Sequence, residues 1–292
     1  MQQPFGHTLK FRLLLSPGWF SLGPGWAAIA GALSTGQGNF NYSHLLQLVG
    51  LWLLVDPLLG VLWELAVQRQ LWRQLVEAQL PPAPRYGFSL PYAQPGSPGG
   101  QFVLYVRRYR LWWQELYWPQ FGDQVATFFL SALLALAIAI ALRAAIFWLT
   151  VLAIGLILFM ALKPAALADA GGGRLQTIVQ LFLPWLMGIL LWSNLAPFSL
   201  ALAVCYGLVY LGGLRMVGGH RRAEWLFFGG QIAVILLLLG VRLLPGAAVG
   251  AALVVAQLLL KAHAGQAAAF LEKAQPFLIF GALAAGWSLG TL

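Results

Sequence analysis

The sequence predicts an all-α polytopic membrane protein of about nine transmembrane helices, with its N-terminus in the cytoplasm. Three observations carry that expectation. Of the 292 residues 60% are apolar and 9% charged, whereas soluble domains carry about 25% charged residues. The apolar residues form runs that approach the roughly 20 residues a helix needs to cross a hydrocarbon core of about 30 Å. The basic residues gather at alternate ends of those runs. The runs follow one another almost without interruption, so a single transmembrane domain over residues 1–292 is expected.

In chain order the runs are 18–36, 45–67, 125–142, 144–162, 176–194, 196–214, 225–244, 246–262 and 273–291. Ahead of them, Lys10 and Arg12 are followed by Gly, Trp and Pro without a small-x-small cleavage site, so no cleavable signal peptide is expected. Two pairs of runs are joined by almost nothing, at Arg143 and at Leu195–Pro197, and read as tight hairpins. Residues 68–124 are the one substantial loop. Its middle, PPAPRYGFSLPYAQPGSPGG from Pro81 to Gly100, cannot hold a regular helix, because proline lacks the donor and glycine is too permissive. Its second half, FVLYVRRYRLWWQELYWPQF, places Phe102, Tyr105, Tyr109, Trp112 and Leu116 on one helical face, with Arg107, Arg108, Arg110 and Glu115 largely away from it. That pattern predicts an amphipathic helix in the headgroup layer, anchoring the chain to the bilayer or recognising an anionic, lipid-like substrate.

Charge sign tests the segmentation independently. With the N-terminus inside, 15 of the 17 Lys and Arg residues fall on the inner side, and only Arg143 and Arg242 fall outside. Cytoplasmic loops carry such an excess. The division predicts a multi-pass protein of the plasma (inner) membrane with its C-terminus on the outer side. The net charge of +9 is accounted for by this bias, and nucleic-acid binding is not expected. Cys205, the single cysteine, excludes an intrachain disulfide and a cysteine metal site.

The candidate catalytic groups are acids. Asp56 sits in mid-run in LWLLVDPLLGVLWEL, where an ionisable group costs roughly 2.5–3.5 kcal/mol on insertion scales. It marks either a polar, ion or proton site or a local partner of the kink at Pro57, which frees the carbonyl of Leu53. Glu64 follows eight residues on, about 80° round an ideal helix and two turns nearer the cytoplasm. It either lines the same cavity at another depth or pairs with Arg69 or Arg73. The loop LRMVGGHRRAEW gathers Arg215, His220, Arg221, Arg222 and Glu224. Adjacent arginines suit bidentate phosphate contacts, and a solvated inner loop is the alternative. Candidate substrate-binding residues are therefore Arg107, Arg108, Arg110, Arg221, Arg222 and His220. His7, His44 and His263 are scattered, so no metal site is expected from histidine. The loop KPAALADAGGGRLQ lacks the ending of a phosphate-binding P-loop. Small-residue pairs, Gly246 with Gly250 and Ala282 with Gly286, suit close helix packing.

Nine helices, a cytoplasmic N-terminus, enlarged loops after helices two and six, and the opening SPGWFSLGPGWAAIAGAL together resemble the UbiA-type membrane prenyltransferase superfamily. The resemblance implies a UbiA-like bundle around a cavity for a prenyl chain. It also implies magnesium and a prenyl diphosphate held by aspartate-rich motifs in those two loops. In the register WELAVQRQL, Glu64 takes the first acidic position of the first motif, and Val67 and Leu71 the next two. In the second, Glu224 is the one acid beside His220, Arg221 and Arg222. Magnesium shared with a diphosphate needs several carboxylate oxygens, so the resemblance implies the fold more than the reaction. Three readings stand at this point. One is a diverged UbiA-like protein that binds an isoprenoid or similar lipid, with or without group transfer, arginines standing in for metal. The second is a non-catalytic subunit or assembly factor of a larger membrane complex. The third is a transporter using Asp56.

Overall fold

The computed structural model describes residues 22–36, 41–67, 72, 80–81, 97–162, 170–220, 222–264 and 266–292. Among these every regular element is helical. The helices are α1 (Pro24–Leu33), α2 (Tyr42–Val67), α3 (Pro98–Leu142), α4 (Ala144–Leu162), α5 (Gly173–Trp192), α6 (Pro197–Val217), α7 (Ala223–Gly240), α8 (Leu244–His263) and α9 (Ala267–Gly290). Eight of them, α2 to α9, are long and apolar enough to cross a membrane. The protein is a multi-pass membrane protein.

The structure modifies the sequence reading in two places. The run 18–36 was expected to span, but α1 has ten residues, about 15 Å of helix, which is half a hydrocarbon core. The aromatic segment 102–121 was expected to form a separate interfacial helix. Instead α3 runs unbroken for 45 residues, about 68 Å, and the aromatic segment is its first half. Nothing in the sequence between Pro98 and Leu142 stops a helix. Pro119 lies within the chain's longest helix and is accommodated by a widened π-turn at Trp112–Tyr117, where the Trp118 amide bonds the Trp113 carbonyl five residues back. Both expected hairpins are present, Arg143 alone linking α3 to α4, and residues 193–196 linking α5 to α6.

Two cores share a spine. One core buries side chains of α6, α7, α8 and α9, and the other side chains of α2, α3 and α4. The central pair α1 and α5 contributes to both. Leu181, Trp185 and Ile189 of α5 enter the first core, and Leu183, Met187 and Leu191 the second. The pair can sit this close because glycines face carbonyls. A Cβ on Gly31 would lie 2.2 Å from the Trp185 oxygen, and one on Gly188 would lie 2.0 Å from the Ala28 oxygen. On the other flank of α1, a Cβ on Gly286 of α9 would lie 2.5 Å from the Ala30 oxygen. Gly246 of α8 instead faces a side chain, that of Ser288 in α9. Small residues allow this approach where van der Waals packing drives helix association.

Arg143, expected on the outer side, has a structural task. Its Nη1 donates to the carbonyls of Leu190 at 2.7 Å and Ser193 at 2.8 Å, closing the C-terminus of α5, where unpaired carbonyls and the helix dipole favour a cation. Arg143→Met is expected to cost about 1 kcal/mol, read as a fall of a few degrees in the melting temperature of the detergent-solubilised protein. An unchanged melting temperature would remove this role.

Candidate functional site

Among the described residues three π-turns widen the helices, and each accompanies a proline. A proline has no N–H to offer the carbonyl four residues back, so the helix can widen locally into i→i+5 bonding, a feature frequent at functional sites. In α2 the turn is Leu54–Leu58 around Pro57, with the Leu59 amide bonded to the Leu54 carbonyl. In α5 it is Ile178–Phe182, just before Pro184, with the Leu183 amide bonded to the Ile178 carbonyl. These two turns present Asp56 and Gln180 to one cavity of about 810 Å³.

The cavity lies where the two cores do not meet, among α2, α5, α6 and α9, at the N-terminal end of the short α1. Its α2 wall is a stripe at four-residue steps: Leu48, Trp52, Asp56, Gly60 and Glu64. On an ideal helix Asp56 and Glu64 would diverge by about 80°. The π-turn removes one residue from the angular count, so the eight steps act as seven, about 20° short of two full turns. Asp56 and Glu64 therefore face the same cavity. Glu64 is exposed near the end of α2, while Asp56 is half-buried, about 16 Å farther along the helix than Val67.

Asp56 also has a partner. The Gly25 amide hydrogen-bonds its carboxylate. Gly25 follows Pro24 in the first turn of α1, whose own N-cap residue, Gly23, supplies no side-chain cap. A carboxylate from α2 thus caps the positive end of α1. Trp52 packs directly on this junction, since a Cβ on Gly25 would lie 2.5 Å from its ring.

Three further polar side chains line the cavity. Gln180 Oε1 accepts from the Tyr210 hydroxyl at 2.6 Å and from Gln176 Nε2 at 3.0 Å, linking α5 to α6. Gln275 Oε1 accepts from the Leu22 amide at 2.8 Å, pinning the entry to α1 against α9. The sequence reading passed over Gln180, Tyr210 and Gln275. A signal was present for two of them: Asp56, Gln180 and Gln275 each lie within four residues of a following proline, at Pro57, Pro184 and Pro276.

The other predicted site residues are elsewhere. Glu224 pairs with Lys261, whose ammonium also lies 5.5 Å from the Phe228 ring centre. Arg108 donates through Nε to the Pro81 carbonyl at 2.7 Å and through Nη2 to the Leu80 carbonyl at 3.1 Å. It fixes the preceding segment to α3. Arg107 is half-buried, and Arg110, His220 and Arg222 are exposed. None of these six predicted residues lines the cavity. Arg221, Arg69, Arg73, residues 82–96 of the Pro/Gly-rich segment and residues 163–169 lie outside the described residues.

The magnesium site that the resemblance implies does not fit this arrangement. Among the described residues no three His, Cys, Asp or Glu side chains gather closely enough to hold a metal ion, and the cavity brings together two carboxylates. What the arrangement offers is a long apolar and aromatic chamber with hydrogen-bonding groups at fixed depths. Compared with family models, with curated proteins and with solved structures, the chain finds no match in any of the three.

Proposed function

We propose that this protein binds an isoprenoid or other lipid-like molecule in the cavity between its two half-bundles. The cavity itself carries the reading. Ligand sites occupy roughly 300–1,000 Å³, with apolar and aromatic walls and a few placed polar groups. At about 810 Å³, with walls formed chiefly by apolar side chains and polar groups at Asp56, Glu64, Gln180, Tyr210 and Gln275, this chamber has those properties. A UbiA-like arrangement, with the basic end and the cavity rim facing the cytoplasm of the inner membrane, is part of the proposal. It is supported by the division of Lys and Arg and by the position of Glu64 and Val217 at the rim. The reading is of a binder, and no metal-dependent prenyl transfer is proposed for it.

Gly60 provides the test. It lies on the cavity stripe between Asp56 and Glu64, and a Cβ there would meet nothing within 4 Å. Gly60→Phe is therefore expected to fill the chamber without disturbing the fold. Binding of an uncharged probe such as farnesol, followed by titration calorimetry in nanodiscs, should weaken at least about tenfold, equivalent to about 1.4 kcal/mol. Undiminished farnesol binding in a Gly60→Phe protein of normal melting temperature would overturn the reading.

A second reading, as a subunit of a membrane complex, rests on the first half of α3. Phe102, Tyr105, Val106, Tyr109 and Leu116 are exposed there on the part of the helix that exceeds the thickness of a hydrocarbon core. Migration as a monomer, without a partner crosslinked through this face in membranes, would count against it.

A further inference from the structure

We propose that the deep end of the cavity is a cation site, and that the lipid-like ligand carries an amine or quaternary ammonium head rather than a phosphate. This rests on the cavity being a ligand site and adds the chemistry of the ligand's polar end.

The charge inventory is the first argument. The described residues lining the cavity include two acids, Asp56 and Glu64, and no Lys, Arg or His. Among the described lining residues a phosphate head would find no cation and would face two carboxylates. Of the described cationic side chains expected to receive it, Arg108 is engaged on the carbonyls of Leu80 and Pro81, and Arg107, Arg110, His220 and Arg222 do not line the cavity.

The second argument is the setting of Asp56. The Gly25 amide, at the positive end of α1, donates to its carboxylate. An ionised carboxylate has about four acceptor positions, so the Gly25 bond alone does not use up its acceptor capacity, and Asp56 lines the cavity. A charge in a low-dielectric chamber is most favourable when an opposite charge reaches it. An ammonium at the end of an apolar chain satisfies that requirement and brings its own desolvated tail.

Third, the walls beside Asp56 are aromatic. Trp26 of α1 and Trp52 of α2 both line the cavity, and the Trp52 ring lies against the Gly25 backbone. Tryptophan faces attract ammonium groups, the more so where water is excluded, and such aromatic settings recognise quaternary ammonium ligands. A carboxylate with the Trp52 indole at the same junction, in a cavity that Trp26 also lines, suits that head. Glu64 at the rim adds a second negative charge on the entry path, favouring cations over anions as they approach.

Three probes of one chain length test this: dodecyltrimethylammonium, dodecanol and dodecyl phosphate, titrated into the full-length protein in zwitterionic nanodiscs. The ammonium probe is expected to bind at least tenfold more tightly than the alcohol, and the phosphate more weakly than the alcohol. Asp56→Asn keeps an oxygen for the Gly25 amide and removes the charge. It should lower ammonium affinity to that of the alcohol and leave the alcohol unchanged. Trp52→Leu should reduce the ammonium preference several-fold by a route independent of Asp56. Equal affinity for ammonium and alcohol in the wild type, tightest binding of the phosphate, or an ammonium preference surviving in both variants would each overturn the cation site. If dodecanol binds while the preference is absent, the lipid-binding reading stands without this inference. If no probe binds, both fall.

Discussion

Gly188→Val is expected to prevent the protein from folding. The smallest side chain at this position would put a carbon 2.0 Å from the Ala28 carbonyl oxygen and 2.8 Å from the Ala32 nitrogen. Both are backbone atoms of a helix, so no rotamer change relieves the overlap. The axes of α1 and α5 would have to separate, and Gly31 makes the reciprocal contact on Trp185. Overpacking a well-packed core costs about 1–3 kcal/mol and occasionally more. This case lies at the upper end, because both cores are built on the two helices being forced apart. The yield of monodisperse protein after solubilisation and its melting temperature measure the effect. Gly155→Val is the control, since a Cβ on Gly155 of α4 meets nothing within 4 Å. A Gly188→Val protein that melts with the wild type would mean that α1 and α5 do not cross as described.

The second large effect is expected between α7 and α8. Gln231 and Gln257 are buried and exchange two hydrogen bonds, Gln231 Nε2 to Gln257 Oε1 at 3.1 Å and Gln257 Nε2 to Gln231 Oε1 at 2.9 Å. Interhelical hydrogen bonds in membranes contribute about 0.6 kcal/mol on average and about 1.7 at most, so forming the pair stabilises only modestly. Removing one partner is worse, because it strands a buried amide at a cost of about 1–3 kcal/mol. Gln257→Leu should therefore lower the melting temperature more than Gln231→Leu combined with Gln257→Leu. A double-mutant cycle measures the coupling. A double variant no more stable than the single one would show that the amides do not depend on each other.

The membrane spans were legible because hydropathy needs no knowledge of neighbours. Each of α2 and α4 to α8 was expected within a few residues of where it lies, and α9 starts six residues before the run expected for it. Where the chain continues through a polar stretch, the same signal misleads. Arg107, Arg108 and Arg110 lower the hydropathy ahead of residue 125, which separated an aromatic segment from a span although one helix contains both. The first run failed differently: its composition is apolar enough to span, but ten residues form α1 and the space at its N-terminal end is cavity.

The site was half legible. Asp56 was conspicuous by its depth, and Glu64 was expected either to share its cavity or to pair with Arg69 or Arg73. Helical angles alone separate the two acids, and only the extra residue of the π-turn aligns them. The link from Asp56 to the start of α1 joins two helices and leaves no trace in either segment. The arginine clusters show the opposite failing. Proximity in sequence says nothing about where a guanidinium points, and Arg108 turns to two backbone carbonyls.

The continuous α3 ties the orientation of its aromatic first half to that of its apolar second half. One helix carries both Tyr105 and Phe128, with the π-turn at Trp112–Tyr117 and Pro119 between them, so the azimuth of the exposed aromatic face is tied to that of the buried one. Each residue inserted or deleted between them would turn that face by about 100° around the helix axis. The length of this stretch is therefore a clock hand: it sets the compass direction in which the protein presents its rings, and a chain that kept every side chain but lost one residue here would present them to a different neighbour.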